Sequence, residues 1–243
     1  MVRNCKNFVT YRGFNIISMM YFALMLFSLI FYKKLIILGR FGPIPISLMI
    51  SPVFFMMSDL ITEVYGFKES RKLLYSSLII LGITALFIPP LINLNDQLSL
   101  APGLSKISSG IGIAYKVIFS EFLKLYMIYS FTVLISDYIN IWAISRWKVL
   151  LKGRYFLTRS ILASFIGLLI YSVLATVLSP YLLNEEFILK IILISFSLKV
   201  LFLIILGYPV LFLCGLLKRI ERIDVYDQII DYNSFKLKAP PST

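Results

Sequence analysis

An all-α membrane protein is predicted from this chain: a polytopic helix bundle of about six transmembrane helices, with N-terminus and C-terminus cytosolic. Three observations carry that reading. Hydrophobic residues make up 59% of the 243 residues, charged residues only 15%, and the mean hydropathy is +0.89. A soluble domain carries about 25% charged residues. Six apolar segments are each long enough to cross hydrocarbon, which takes roughly 20 residues at a rise of about 1.5 Å each. Most of the 24 basic residues fall in alternate loops, the bias that marks cytosolic segments.

The first span is expected from about Phe14 to Tyr32. No cleavage pattern follows it, so it should stay attached as a helix. The second runs from about Ile44 to Tyr65, after a stretch, Leu35 to Ser51, broken by Gly39, Arg40, Gly42, Pro43 and Pro45. That stretch is either a loop or a non-helical piece that enters the bundle where protein or water satisfies its backbone. The third span is expected from about Leu73 to Leu94, the fourth from Ala114 to Trp147, the fifth from Leu157 to Tyr181 and the last from Phe187 to Leu217. The fourth exceeds the hydrocarbon thickness and must tilt, bend or project. Residues 1–228 form one integral-membrane domain, and residues 229–243 a short cytosolic tail.

With the N-terminus inside, cytosolic segments hold Arg3, Lys6 and Arg12, then Lys68, Arg71 and Lys72, then the group from Arg146 to Arg159, then Lys218 onward. Outer segments hold Lys33, Lys34, Arg40 and Lys106, and the acidic turn Asn184-Glu185-Glu186 holds no basic residue. The net charge of +12 follows from this bias. It requires no nucleic-acid partner, since no basic stripe interleaved with stacking aromatics occurs outside the loops.

Several chemistries are set aside. A chain with no histidine lacks Ser-His-Asp and Cys-His triads, His-ligated metals and histidine proton relays. Cys5 and Cys214 lie in or near cytosolic positions, so a disulfide is not expected. There is no phosphate-cradling Gly-Lys-Ser/Thr loop, so the polypeptide does not itself hydrolyse nucleotide. No enzyme activity, cofactor or metal is expected.

The run from Ser58 to Arg71 is the most informative stretch, because it sets Asp59 and Glu63 at the end of an apolar span. Acids in lipid are costly and face a protein interior, a water-filled path or a substrate. On a helix Asp59 and Glu63 are i,i+4 neighbours with Thr62 beside them, one face with two acids and a hydroxyl. Glu63 could also simply pair with Lys68 or Arg71 at the interface. Lys199 sits near the middle of the last span, where a lysine costs about 2.5–3.5 kcal/mol and needs an anionic or carbonyl partner. Asp59, Glu63 and Glu121 are the acids available to it, either as a helix-orienting ion pair or around a ligand. In the fourth span Glu121 and Lys124 satisfy each other, while Ser130, Ser136, Asp137 and Asn140 make a polar stripe that can glue helices or line a site.

Pro52, Ser58-Asp59, Thr62-Glu63-Val64-Tyr65-Gly66-Phe67-Lys68 and Arg71 together resemble the signature of the queuosine precursor transporters, also called the vitamin uptake transporter family. The resemblance extends over roughly residues 15–228. Arg159 resembles the arginine that opens the family's fifth span, Lys199 and Pro209 resemble its last-span pair, and Ile223-Asp224-Val225-Tyr226-Asp227 resembles its cytosolic ending. Departures occur at Asn140, where the family carries an acid, at Leu168 and Tyr171, where it carries Gln and Asp, and at Gly207, where it carries an acid.

The resemblance implies an inner-membrane transporter importing a deazaguanine-type queuosine precursor, a purine-like base, or a related small molecule. Asp59, Thr62, Glu63, Tyr65, Ser130, Asn140 and Lys199 are the expected substrate-binding residues. A carboxylate from Asp59 or Glu63 would accept paired N–H donors of the base edge, with Tyr65 or a phenylalanine on the ring. Two alternatives stand beside this: the substrate-binding subunit of an ATPase-coupled vitamin importer, and a non-transporting membrane scaffold. Membrane lipid is the expected surrounding partner. A homo-oligomer stays open.

Overall fold

A computed structural model describes residues 12–37, 43–92, 112–178 and 185–227. The expected tail 229–243, Cys5 and the loop residues Arg3, Lys6, Arg40, Lys106 and Asn184 lie outside the described residues. Among those described are six long helices: α1 (Arg12–Ile30), α2 (Ser47–Tyr65), α3 (Phe67–Ile92), α4 (Phe122–Leu150), α5 (Phe156–Val177) and α6 (Glu185–Glu221). Five of them, α4 counted with the helical stretch 112–119 before it, are long and apolar enough to cross a membrane. Their outer faces expose Met19, Ile79, Phe87, Phe131, Tyr208 and Phe212, apolar and aromatic side chains suited to lipid. The molecule is a multi-pass helical membrane bundle.

The long fourth span is handled by a break: residues 120–121 form a turn, and α4 starts again at Phe122. Of the interrupted stretch after α1, the described residues are those up to Ile37 and from Pro43 on. A 3-10 turn (Phe31–Lys33) leads into a two-stranded antiparallel hairpin, β1 (Leu35–Ile37) against β2 (Pro43–Pro45). Prolines are tolerated there because each strand of a two-stranded ribbon has a free edge.

The remaining helix, α2, is the axis of the bundle. It packs against each of the other five helices. Phe54, Phe55, Leu60, Ile61 and Val64 are fully enclosed, and so are Asp59, Thr62 and Glu63. Burial on every side lets a helix with two carboxylates sit in a membrane, since protein rather than lipid surrounds them.

A single residue separates α2 from α3. Gly66 has φ +87°, a conformation open to glycine and strained for other residues. The span expected from Leu73 therefore begins earlier, at Phe67, and its first N–H is accepted by both carboxylate oxygens of Asp227 at 3.1 and 3.0 Å. That cap comes from the opposite end of the chain, so no local start signal announces it. The segment 222–227 runs back along this corner, with Val225 N–H donating to Val64 O at 3.2 Å and Ser145 Oγ to Asp227 at 2.5 Å. A Cβ on Gly66 would sit 2.9 Å from both Asp227 Oδ1 and Val225 Cγ1. Gly66→Ala is expected to cost about 1–3 kcal/mol of stability, read as a lower unfolding temperature of the detergent-solubilised protein. An unchanged midpoint would mean that the corner relaxes freely.

Candidate functional site

Positions 55, 59 and 63 of α2 are spaced by four residues and lie on one stripe of the helix. The stripe carries an aromatic, an acid and a second acid. Each meets a different set of partners, so the bundle interior is layered along α2.

The layer nearest the Gly66 corner is an ion-pair cluster. Glu63 Oε2 accepts from Arg159 of α5 at 3.1 Å, and Oε1 accepts from Lys218 of α6 at 2.7 Å. Lys148 of α4 donates to the Glu63 backbone carbonyl at 2.5 Å and to Val225 O at 2.6 Å. Asp224, in the returning segment, takes Lys148 at 2.5 Å and Lys218 at 3.0 Å. Burial pushes the Asp224 carboxyl up, and the hydrogen bonds and charges of Lys148 and Lys218 outweigh it, holding the carboxyl below its ordinary value. Its stabilising share is therefore complete above the ordinary carboxylate range, near pH 4, and is lost as pH falls through the depressed value. Beside it, Tyr65 donates to Glu221 at 2.5 Å and sets its ring edge-on to Phe14.

One turn further in, the second layer holds two carboxylates and neutral partners. Asp59 accepts from Asn140 Nδ2 at 2.6 Å, from Ser160 Oγ at 2.5 Å and from Ser164 Oγ at 2.7 Å. Asp137 accepts from Tyr21 of α1 and from Ser58 of α2, both at 2.7 Å. Asn140 Nδ2 also reaches Ser58 Oγ at 3.4 Å, joining the two carboxylates through one amide. The other end of that amide, Asn140 Oδ1, is buried without a hydrogen-bond partner. Among the described residues no cation reaches Asp59 or Asp137.

Aromatic rings and a lysine form the third layer. Phe54 and Phe55 pack together with their rings 5.0 Å apart, and both stand edge-on to Tyr171 at 6.3 and 6.1 Å. Lys199 of α6 is buried, donates to Ser172 Oγ at 2.8 Å and lies 4.6 Å from the centre of the Tyr171 ring. Gly167 joins this layer to the one below. A Cβ there would come within 2.7 Å of Phe55 and 3.1 Å of Asn140.

These positions sort the expected site residues. Asp59 and Asn140 come together, and Lys199 stands one layer away. Glu63 and Tyr65 belong to the ion-pair end, Thr62 donates to Ser58 O of its own helix and lies 2.9 Å from Ser70 Oγ of α3, and Ser130 bonds its own helix at Met127 O on an exposed face. Two expected pairings are corrected. Glu63 pairs with Arg159, Lys218 and Lys148 rather than with Lys68 or Arg71, because its side chain points into the bundle while α3 turns away after Gly66. Lys199 pairs with none of Asp59, Glu63 and Glu121; it is held by a hydroxyl and a ring.

Asp137, Ser58, Ser160, Ser164 and Tyr21 complete the second layer and were not among the expected site residues. Ser160 and Ser164 at i,i+4 in an apolar helix were a visible signal, as was Asp137 one turn before Asn140. Tyr21 gave none, being one of many tyrosines. The departures now have places too. Leu168 and Tyr171 are buried, and a Cβ on Gly207 would meet Leu157 at 2.9 Å, so α6 lies close on α5 there.

The described residues thus form a lipid-facing bundle that seals two acids, which no described cation reaches, behind an ion-paired end. The chain belongs to the family described as putative vitamin uptake transporter, whose model matches residues 45–214. The match contains Asp59, Asp137, Asn140, Arg159 and Lys199. No curated protein and no solved structure matches the chain.

Proposed function

We propose that the protein imports a small flat nitrogen heterocycle, a queuosine precursor of the deazaguanine type or a related purine-like base, across the bacterial inner membrane. The observation that carries this reading is the pairing of Asp59, a buried carboxylate that no cation reaches among the described residues, with the orphan acceptor Asn140 Oδ1. Adjacent ring and amino N–H donors of a guanine-like edge require two acceptors side by side. Phe54, Phe55 and Tyr171 supply apolar ring surface next to them. Lys199 would donate to a base carbonyl from the third layer.

In this reading Glu63, Arg159, Lys218 and the segment 222–227 close the cytosolic end. Alternating access then parts this end and the outer end in turn, with the site between helices. The family carries an acid where this chain has Asn140. Here Asp137, one turn earlier, returns a carboxylate to the same network.

The test is uptake of a labelled deazaguanine base by cells that lack their own synthesis and import, with the protein shown to be present in the membrane. Accumulation of label is the expected result. Absence of label, with protein abundance normal, would overturn the reading.

A further inference from the structure

We propose that uptake is coupled to a proton carried by Asp137, with Ser58 and Asn140 linking that proton to the substrate acceptor Asp59. The proposal rests on the uptake reading above and adds its energy source. Its starting point is charge. Two carboxylates ionised together, within a shell of neutral donors and inside a membrane bundle, would leave two buried charges without compensation.

The charged and titratable groups around them do not supply it. On α1 the neighbour is Tyr21, a neutral donor at 2.7 Å. On α2 it is Asp59 itself, with Glu63 one turn below already held by Arg159 and Lys218. On α5 the neighbours are the hydroxyls Ser160 and Ser164. On α6 Lys199 is engaged by Ser172 and Tyr171. On α3 Arg71 lies over the Phe67 ring, toward the Gly66 corner. A proton is the positive charge that fits without displacing a partner.

The hydrogen-bond inventory selects Asp137 as its carrier. Both partners of Asp137 are hydroxyls, which donate to a carboxylate and can turn to accept from a carboxylic acid. Asp137 therefore keeps its partners in either protonation state. Asp59 is more restricted: only Oδ2, held by the hydroxyls of Ser160 and Ser164, can take a proton and keep its partners, since Oδ1 accepts from the amide N–H of Asn140, which cannot accept. Ionised Asp59 is also the state that takes substrate N–H donors. Asn140 touches both Asp59 and Ser58, so a base engaging its free Oδ1 acts directly on the amide that leads to Asp137. In the transfer step a proton from water on the outer side forms an O–H bond at Asp137, and the same bond releases it to water on the cytosolic side. No other bond changes.

The experiment uses the purified full chain in proteoliposomes, a labelled deazaguanine base, and a membrane potential clamped at zero. One proton per substrate raises the inside-to-outside ratio at equilibrium about tenfold for each unit by which the interior is more alkaline. D137N should equilibrate at a ratio of one whatever its rate. A wild-type ratio of one despite steady entry of label would overturn the proton proposal and leave the substrate reading intact. A ratio that follows a sodium gradient would also overturn it. If no label enters, the substrate reading fails, and infrared difference spectra between acid and alkaline buffer still decide the carrier. A protonated-carboxyl band that persists in D137N and in Y21F overturns the assignment, and one lost in D137N and shifted in Y21F upholds it.

Discussion

Glu63→Gln is expected to cut the folded yield of the protein sharply and to lower its unfolding temperature in detergent. The glutamate is fully buried and receives Arg159 on one oxygen and Lys218 on the other. Removing one partner of a buried pair costs about 3–5 kcal/mol, because the stranded charge keeps its desolvation penalty. Lys218 retains Asp224 at 3.0 Å, whereas Arg159 is left with backbone carbonyls, the nearest being Arg154 O at 3.0 Å. Glu63→Gln combined with Arg159→Met should therefore recover much of the lost stability, and a double-mutant cycle would measure the coupling. Strict additivity, or a Glu63→Gln protein as stable as the parent, would show that the cluster does not hold the helices together.

Asp59→Asn should instead separate transport from folding. The change keeps the side chain's shape and removes the charge that accepts paired N–H donors. A hydrogen bond to a charged group contributes about 1.5–3 kcal/mol, so uptake should fall roughly 10- to 150-fold for one such bond. The fold loses less. Asn140, Ser160 and Ser164 all donate to Asp59, and the hydroxyls can turn to accept from the new amide. Normal uptake by Asp59→Asn alongside a normal membrane level would move the site elsewhere.

The bundle was legible in the sequence because the hydrophobicity of its spans follows directly from the lipid environment. With the stretch 112–119 counted as part of α4, five of the six expected spans lie within a few residues of the observed helices, the third being the exception. The misplaced start at Leu73 shows the limit. Phe67 begins a helix because Asp227 caps it, and a cap 160 residues away leaves no trace near Phe67. The site was half legible for a similar reason. Asp59 and Asn140 stand out as polar residues in apolar spans, and so does Lys199. What composition could not convey is which acid each cation would choose. Glu63 and Asp59 are one turn apart on one stripe, yet one meets Arg159 and Lys218 and the other meets only hydroxyls and an amide. That division depends on how α4, α5 and α6 dock.

The position of Glu63 also sets a timetable for synthesis. Its two counter-charges are 96 and 155 residues further along the chain. At about 5–20 residues per second, roughly 8–30 s pass between the making of α2 and the arrival of Lys218. Throughout that interval α2 carries two acids and lacks the helices that enclose them. It must wait at the insertion machinery or in a hydrated niche, and settle only when α5 and α6 have been threaded beside it. The stretch Arg222–Asp227 then ties α2, α3 and α4 to the end of α6. Chains shortened by a few residues before Asp227 would thus reach the membrane with every span present and the bundle still unfastened.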